Sequence, residues 1–313
     1  MSEKIKNDLV VSMREKLIEY ISKKEMSQRG VAKELNISET TLSLFLKDSY
    51  SGNNLELAKI IQQYINLGTA REALAKLPEL CLKVNNTVEI ERKARIAHLY
   101  SNILLLYGPA GCGKTTALQH YTRTNNGVVY VEADVTTNSP RCILKLILNA
   151  LGEDSKGSTA DLMQCILAKL NNTKRLLIID EAQHLTEKSF DAIRAINDKA
   201  HIGIVYAGNP SILKRMYGRQ EEEFDQVYSR IVYKCKLNNG FSLDDISNIY
   251  SHFNFSKECL KYLYQIAKRK GGLRLMVNQC QIAQNIALAM NEEFSVQHLE
   301  EAAIKMGIGG GVQ

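Results

Sequence analysis

The 313-residue sequence contains no uninterrupted apolar run of about 18 residues, the length that a membrane-spanning helix requires. A spanning helix is therefore excluded, and no membrane partner is expected. Glu3, Lys4, Lys6 and Asp8 interrupt the apolar residues of the amino end, which lacks the pattern of a secretory leader. Close cysteine pairs are missing too: Cys81, Cys112, Cys142, Cys165, Cys235, Cys259 and Cys280 are scattered, which argues against disulfide staples and against a thiolate zinc site. Reduced thiols in a cytoplasmic chain are the simplest reading. What is present, 45% hydrophobic and 24% charged residues, is the balance of an ordinary globular protein with room for one large core and small satellite domains. The formal charge of +6 favours polyanions only modestly.

Apolar residues recur three or four apart from Leu9 to about Tyr64, as in short amphipathic helices. Gly68 to Val88 mixes a short helical stretch with Pro78 and the pair Asn85-Asn86 and reads as a connector, with the domain boundary near residue 80. From Ile103 onward the runs ILLLY, VVYVEAD, RLLIID and IGIVYAG alternate with helix-length segments, which predicts a mostly parallel sheet covered by helices. After Lys236 only helices are expected, including a long one starting near Leu273 and a last one capped by Ser295.

The strongest local signal is GPAGCGKT, which follows an apolar strand and precedes a helical segment, matching the phosphate-loop spacing in full. Amide hydrogens of Gly108, Pro109, Ala110, Gly111, Cys112, Gly113, Lys114, Thr115 and Thr116, proline excepted, and the positive end of the new helix would cradle the phosphates of ATP. Lys114 adds a cation against the β- and γ-phosphates, and Thr115 offers an oxygen to Mg²⁺. Cys112 occupies a variable position and reads as a spectator. The strand RLLIID then delivers Asp180 and Glu181 to the sheet's carboxyl edge, where open α/β sheets bind ligands. Asp180 suits the Mg²⁺ shell, and Glu181 suits polarisation of the attacking water. Acidic pairs also cap helices.

A further apolar strand, Ile202 to Ala207, ends in Gly208, Asn209 and Pro210 beside the strand of Asp180. Asn209 either orients the attacking water or simply forms a turn. Arg230 is the candidate trans-acting finger, with Arg215 and Arg219 as competitors, and Arg274 at a helix start is placed to sense nucleotide from the lid side. Each arginine is otherwise a solvated surface charge.

The order of these features resembles the AAA+ ATPases, and within them the phage Mu transposition protein B group. The resemblance rests on residues 27–46, 108–115, 176–185, 208–209, the SRI of 229–231 and the GGLR of 271–274. It implies an AAA+ P-loop α/β core with a parallel sheet at 89–236, a small C-terminal helical lid at 237–313, and an N-terminal helix-turn-helix domain at 1–66 joined by a linker at 67–88. It further implies ATP-dependent assembly of a homo-oligomeric helical filament on duplex DNA, partnership with a transposase, and ATP hydrolysis stimulated by DNA to turn the assembly over. An ATP-regulated transcription or plasmid-maintenance factor, and a replication initiator or helicase loader, are the alternatives.

Within the first zone, SQRGVAKELNISETTLSLFLKDSY resembles a phage-repressor helix-turn-helix, with Ser38 capping the second helix and Leu42, Phe45 and Leu46 as core. Glu39, Thr40, Ser43 and Lys47 remain for DNA. None is an arginine, so a modest phosphate-directed contribution is expected, with Arg92, Lys93 and Arg95 and also Lys268, Arg269 and Lys270 adding affinity from the ATPase region.

Overall fold

The structure, a computed structural model, describes residues 3–73, 78, 81–137, 139–217 and 230–308. It divides into two units, residues 1–75 and 76–313.

The first unit is all helical: α1 (Glu3–Lys23), α2 (Gln28–Glu34), α3 (Glu39–Leu46) and α4 (Asn54–Ala73). Ser27 and Ser38 cap α2 and α3 by accepting from the amides of Gly30 and Thr41. Asn36 takes a positive φ of 56° in the turn between them, a conformation that asparagine tolerates better than most residues. Leu17, Val31, Leu42, Phe45, Ala58 and Ile61 form the core, and Leu46 is half-buried against it.

The second unit begins with α5 (Asn85–Tyr100) and β1 (Ile103–Tyr107), followed by α6 (Lys114–Thr124), β2 (Val128–Glu132), α7 (Pro140–Ala150) and α8 (Thr159–Leu170). Then come β3 (Leu176–Asp180), a short 3₁₀ turn at Ala182–His184, α9 (Glu187–Ala200), β4 (Gly203–Gly208), α10 (Ser211–Tyr217) and β5 (Ile231–Lys236). The chain closes with α11 (Leu243–Ile249), α12 (Lys257–Ala267), α13 (Gly272–Met290) and α14 (Val296–Lys305), the last with Ser295 at its N-cap. The five strands are parallel in the order β2-β3-β4-β1-β5, so β4 separates the strand that feeds the phosphate loop from the one that carries Asp180.

Alternation along each strand divides the core in two. Ile103, Leu105, Leu177, Ile179, Ile204 and Tyr206 pack on α7, α8, α9 and α10. Leu104, Leu106, Leu176, Ile178, Val205 and Ala207 face α5 and α6 in a core that runs on through Phe241, Tyr250, Leu263, Met276 and Leu299 of the C-terminal segment. Residues 237–308 therefore share one core with the sheet.

Within the connector expected at 67–88, helix α4 runs on to Ala73 and α5 starts at Asn85. Asn85-Asn86 reads as turn punctuation, yet both side chains bond to other segments and Ile90, Ala94 and Ala97 bury one face of α5. A fifth strand, β5, is not among the four apolar runs and ends at Lys236, after which helices follow as expected. Its alternating pattern, with Val232, Lys234 and Lys236 less buried than Ile231 and Cys235, is that of an edge strand and not of a continuous apolar run.

Candidate nucleotide site

The loop after β1 reverses into α6 through Gly111 (φ 82°) and Gly113 (φ 93°), values that L side chains seldom adopt. Lys114 is 7% exposed, and its ammonium donates to the carbonyls of Gly108 at 2.9 Å and Pro109 at 3.0 Å. Cys112 Sγ lies 3.5 Å from the same nitrogen and is buried, which fits a packing role. A cavity of about 330 Å³ opens over the loop, within the usual range for small-ligand sites. Ala110, Gly111, Gly113, Lys114, Thr115 and Thr116 line one wall, Glu181 another, and Leu273, Arg274 and Val277 of α13 a third. Pro78, Cys81, Val84, Thr87, Ile249 and Asn278 also line it.

The start of α13 touches the loop directly. Leu273 donates its backbone N–H to Gly111 O at 3.0 Å, and a Cβ on Gly111 would overlap the Gly271 carbonyl oxygen. Two backbones approach here more closely than any side chain allows.

Asp180 ends β3 fully buried. Its carboxylate accepts from Tyr130 Oη at 2.9 Å and from the Glu181 amide at 2.8 Å. Burial first, and the neighbouring carboxylate second, push the Tyr130 phenol far above its ordinary range, so it remains a donor at any working pH. Among the described residues no group of three or more His, Cys, Asp or Glu side chains could hold a metal alone. Asp180 does not itself line the cavity, whereas Thr115 does; a carboxylate and a hydroxyl are oxygen donors of the kind that suits Mg²⁺, which retains water and phosphate oxygens among its ligands. Asp180→Asn is accordingly expected to weaken ATP binding at least about tenfold in Mg²⁺ but only slightly in EDTA, measured by equilibrium titration. Equal losses in both buffers would make Asp180 a purely structural residue.

Glu181 has a positive φ of 51°, uncommon for a non-glycine residue and a form of strain that clusters at functional sites. Its carboxylate accepts from Gln183 Nε2, while Gln183 Oε1 accepts from the Asn209 amide at 3.1 Å. Gln183 thus links the end of β3 to the end of β4. Asn209 does not line the cavity: its Oδ1 accepts from the Ser211 amide at 2.8 Å and the Ser211 hydroxyl at 2.6 Å, holding the start of α10. Only its Nδ2 remains to serve the expected sensing role.

Arg274 lines the cavity, whereas Arg230 does not. Arg230 Nη1 lies 3.1 Å from Asp198 Oδ1, and Asp198 also meets Arg194 Nη1 at 3.4 Å. Arg215 sits in the last turn of α10. Arg219 and Ser229 lie outside the described residues. Of the basic groups, Arg92 pairs with Glu89 at 2.8 Å, Lys93 lies over the Tyr233 ring, and Lys268 lies over Tyr264, so each has an intramolecular partner. Tyr130 and Gln183 were not singled out from the sequence. Their partners lie on other segments, at Asp180 and at Asn209.

Residues 97–216 match the family model described as an AAA domain, and residues 229–306 match that of the Mu B transposition protein, C terminal. The ATP-dependent target DNA activator B of Escherichia phage Mu is 28% identical over 288 residues, covering 90% of this chain and 91% of the relative. Its counterpart from Escherichia phage D108 is 27% identical with the same coverage. The Mu-like prophage FluMu DNA transposition protein B of Haemophilus influenzae is 26% identical, covering 83% of this chain and 92% of its own.

Proposed function

We propose that this chain, an AAA+ ATPase homologous to the transposition protein B family of phages Mu and D108 and prophage FluMu, binds duplex DNA under the control of ATP and delivers it as target to a transposase. The observation that carries the reading is one cavity bounded by the phosphate loop, Glu181 and Arg274 in a chain that aligns along nine-tenths of its length with target DNA activators. Lys114 and the loop amides hold the β- and γ-phosphates. Thr115 and Asp180 would hold Mg²⁺, which supplies charge neutralisation at the phosphates. Glu181 polarises the attacking water, Gln183 fixes its carboxylate, and Asn209 Nδ2 helps orient the water. Arg274 reads the phosphates from the lid side, and Arg230 of one subunit reaches the nucleotide of the next once released from Asp198.

In this reading the ATP-bound form assembles as a homo-oligomeric filament on duplex DNA, and hydrolysis turns the assembly over in the cytoplasm. The seven cysteines are all free thiols, and no helix among the described residues is long and apolar enough to cross a membrane. The Ser38-capped α3 works as the second helix of a DNA-binding helix-turn-helix, leaving Glu39, Thr40 and Lys47 exposed. With no arginine on that face, phosphate contacts dominate. Log affinity for duplex DNA should fall linearly with log salt, with a slope of about −0.9 for each phosphate neutralised and several phosphates in total. Salt-independent binding would contradict phosphate-dominated affinity. Comparing ATP with ADP, and random duplex with a short palindrome, in the same titration tests the function itself. ATP-dependent, sequence-tolerant binding is expected; tight binding to a palindrome by a dimer, indifferent to nucleotide, would assign the chain to operator recognition instead.

A further inference from the structure

A planar trans peptide places its N–H and C=O on opposite sides, so whatever holds a loop carbonyl from outside determines where the next amide points. Two consecutive carbonyls of the phosphate loop are held in this way. Gly111 O accepts from the Leu273 amide at 3.0 Å, and Cys112 O accepts from Asn86 Nδ2 at 3.1 Å. The amides of Cys112 and Gly113 are thereby turned away from α13 and α5, as a concave anion-binding loop requires. Asn86 Nδ2 also donates to Asn238 O at 2.9 Å, in the segment between β5 and α11. The preceding residue reinforces that link. Asn85 donates its backbone N–H to Asp245 Oδ1 at 3.0 Å, and the same carboxylate accepts from Ser242 at the cap of α11.

We propose that Asn86 is a positioning residue for nucleotide binding, which aims the Gly113 amide at the phosphates and couples phosphate binding to the entry of the lid through Asn238. The proposal rests on the reading of Gly108–Thr115 as the phosphate site. The residue type follows from the contacts. Two backbone carbonyls must be served by one uncharged group with two N–H donors, and a primary amide provides both from a single nitrogen. A carboxylate of the same size would face both carbonyls with no donor and would set a negative charge beside the loop that binds the triphosphate.

The test uses the full chain and titrates MgATP and MgADP against Asn86→Asp, Asn86→Ala, Asn86→Gln and, as the control, Lys114→Ala. Asn86→Asp and Asn86→Ala are expected to weaken both nucleotides by roughly 10-fold to 100-fold, the scale for removing a donor from partly buried acceptors. KM for ATP should rise more than kcat falls, and Asn86→Gln should recover part of the affinity. The melting temperature without nucleotide should stay within roughly 2 °C of the unaltered chain. Nucleotide-induced protection of the Phe241–Ile249 amides from hydrogen exchange should disappear. Unchanged nucleotide affinity in Asn86→Asp would overturn the proposal while leaving the phosphate site intact, provided Lys114→Ala loses binding. A fall in melting temperature that tracks the affinity loss through all three Asn86 variants would make Asn86 a mere support for α5. Full ATP affinity in Lys114→Ala would remove the phosphate-site assignment itself, and the proposal with it.

Discussion

Glu181→Gln should cleave ATP roughly 10²–10⁴-fold more slowly in a single turnover while binding ATP and DNA like the unaltered chain. The substitution removes the carboxylate's charge and basicity but keeps its length and its capacity to accept from Gln183 Nε2. The link from Gln183 to the Asn209 amide is left in place, so the ends of β3 and β4 stay joined. Only the carboxylate proposed to draw a proton from water is lost. Assemblies on DNA should then persist for as long as ATP is retained. If Glu181 serves only as local backbone support at its positive φ, the variant should instead lose stability or nucleotide binding and trap nothing. Cleavage at the unaltered rate, with assemblies dissolving on the unaltered timescale, would transfer the role to another water-positioning group such as Asn209.

The second large effect concerns the contact between loop and lid. Gly111→Ala adds a methyl group that would overlap the Gly271 carbonyl oxygen, a backbone atom that cannot rotate aside. It also places an alanine at a φ of 82°. Left-handed strain of about 1–2 kcal/mol and overpacking of about 1–3 kcal/mol combine to roughly 30-fold or more in ATP affinity as α13 is driven off the loop. Gly113→Ala supplies the control. Its φ of 93° carries the same kind of strain, but nothing lies within 4 Å of the added carbon. Gly111→Ala should therefore lose more affinity than Gly113→Ala, and the Leu273 amide, bonded to Gly111 O, should exchange faster in the first variant alone. Equal affinity losses with an unchanged Leu273 amide would show that lid contact contributes nothing to binding.

The features legible in the sequence are those whose causes are local. Strands β1, β3 and β4 announce themselves as apolar runs because both faces of the parallel sheet are covered there, and the edge strand β2 does so because its residues are apolar although their burial alternates. The strand-to-helix reversal at 108–115 carries its own glycines, and the caps at Ser38 and Ser295 sit one residue before the helices they open. Strand β5 escaped because Lys234 and Lys236 interrupt its apolar residues, and α5 because its Asn-Asn start imitates a turn. The missed site residues share another cause. Tyr130 meets Asp180 from 50 residues away, Asn86 reaches Cys112 across 26, and Gln183 reaches Asn209 across 26. Such pairings depend on strand order, and no spacing rule encodes them. Asn209 illustrates the converse: both local readings had a basis, and the geometry commits its Oδ1 to the turn while leaving Nδ2 for water.

The central claim is that ATP switches this chain into an assembly on duplex DNA, and imaging by negative stain with ATP, with ADP and without nucleotide, each with and without long duplex, addresses it most directly. Extended assemblies coating the DNA are expected with ATP, lost with ADP, and longer-lived for Glu181→Gln. Discrete particles of fixed size under all six conditions would contradict the account.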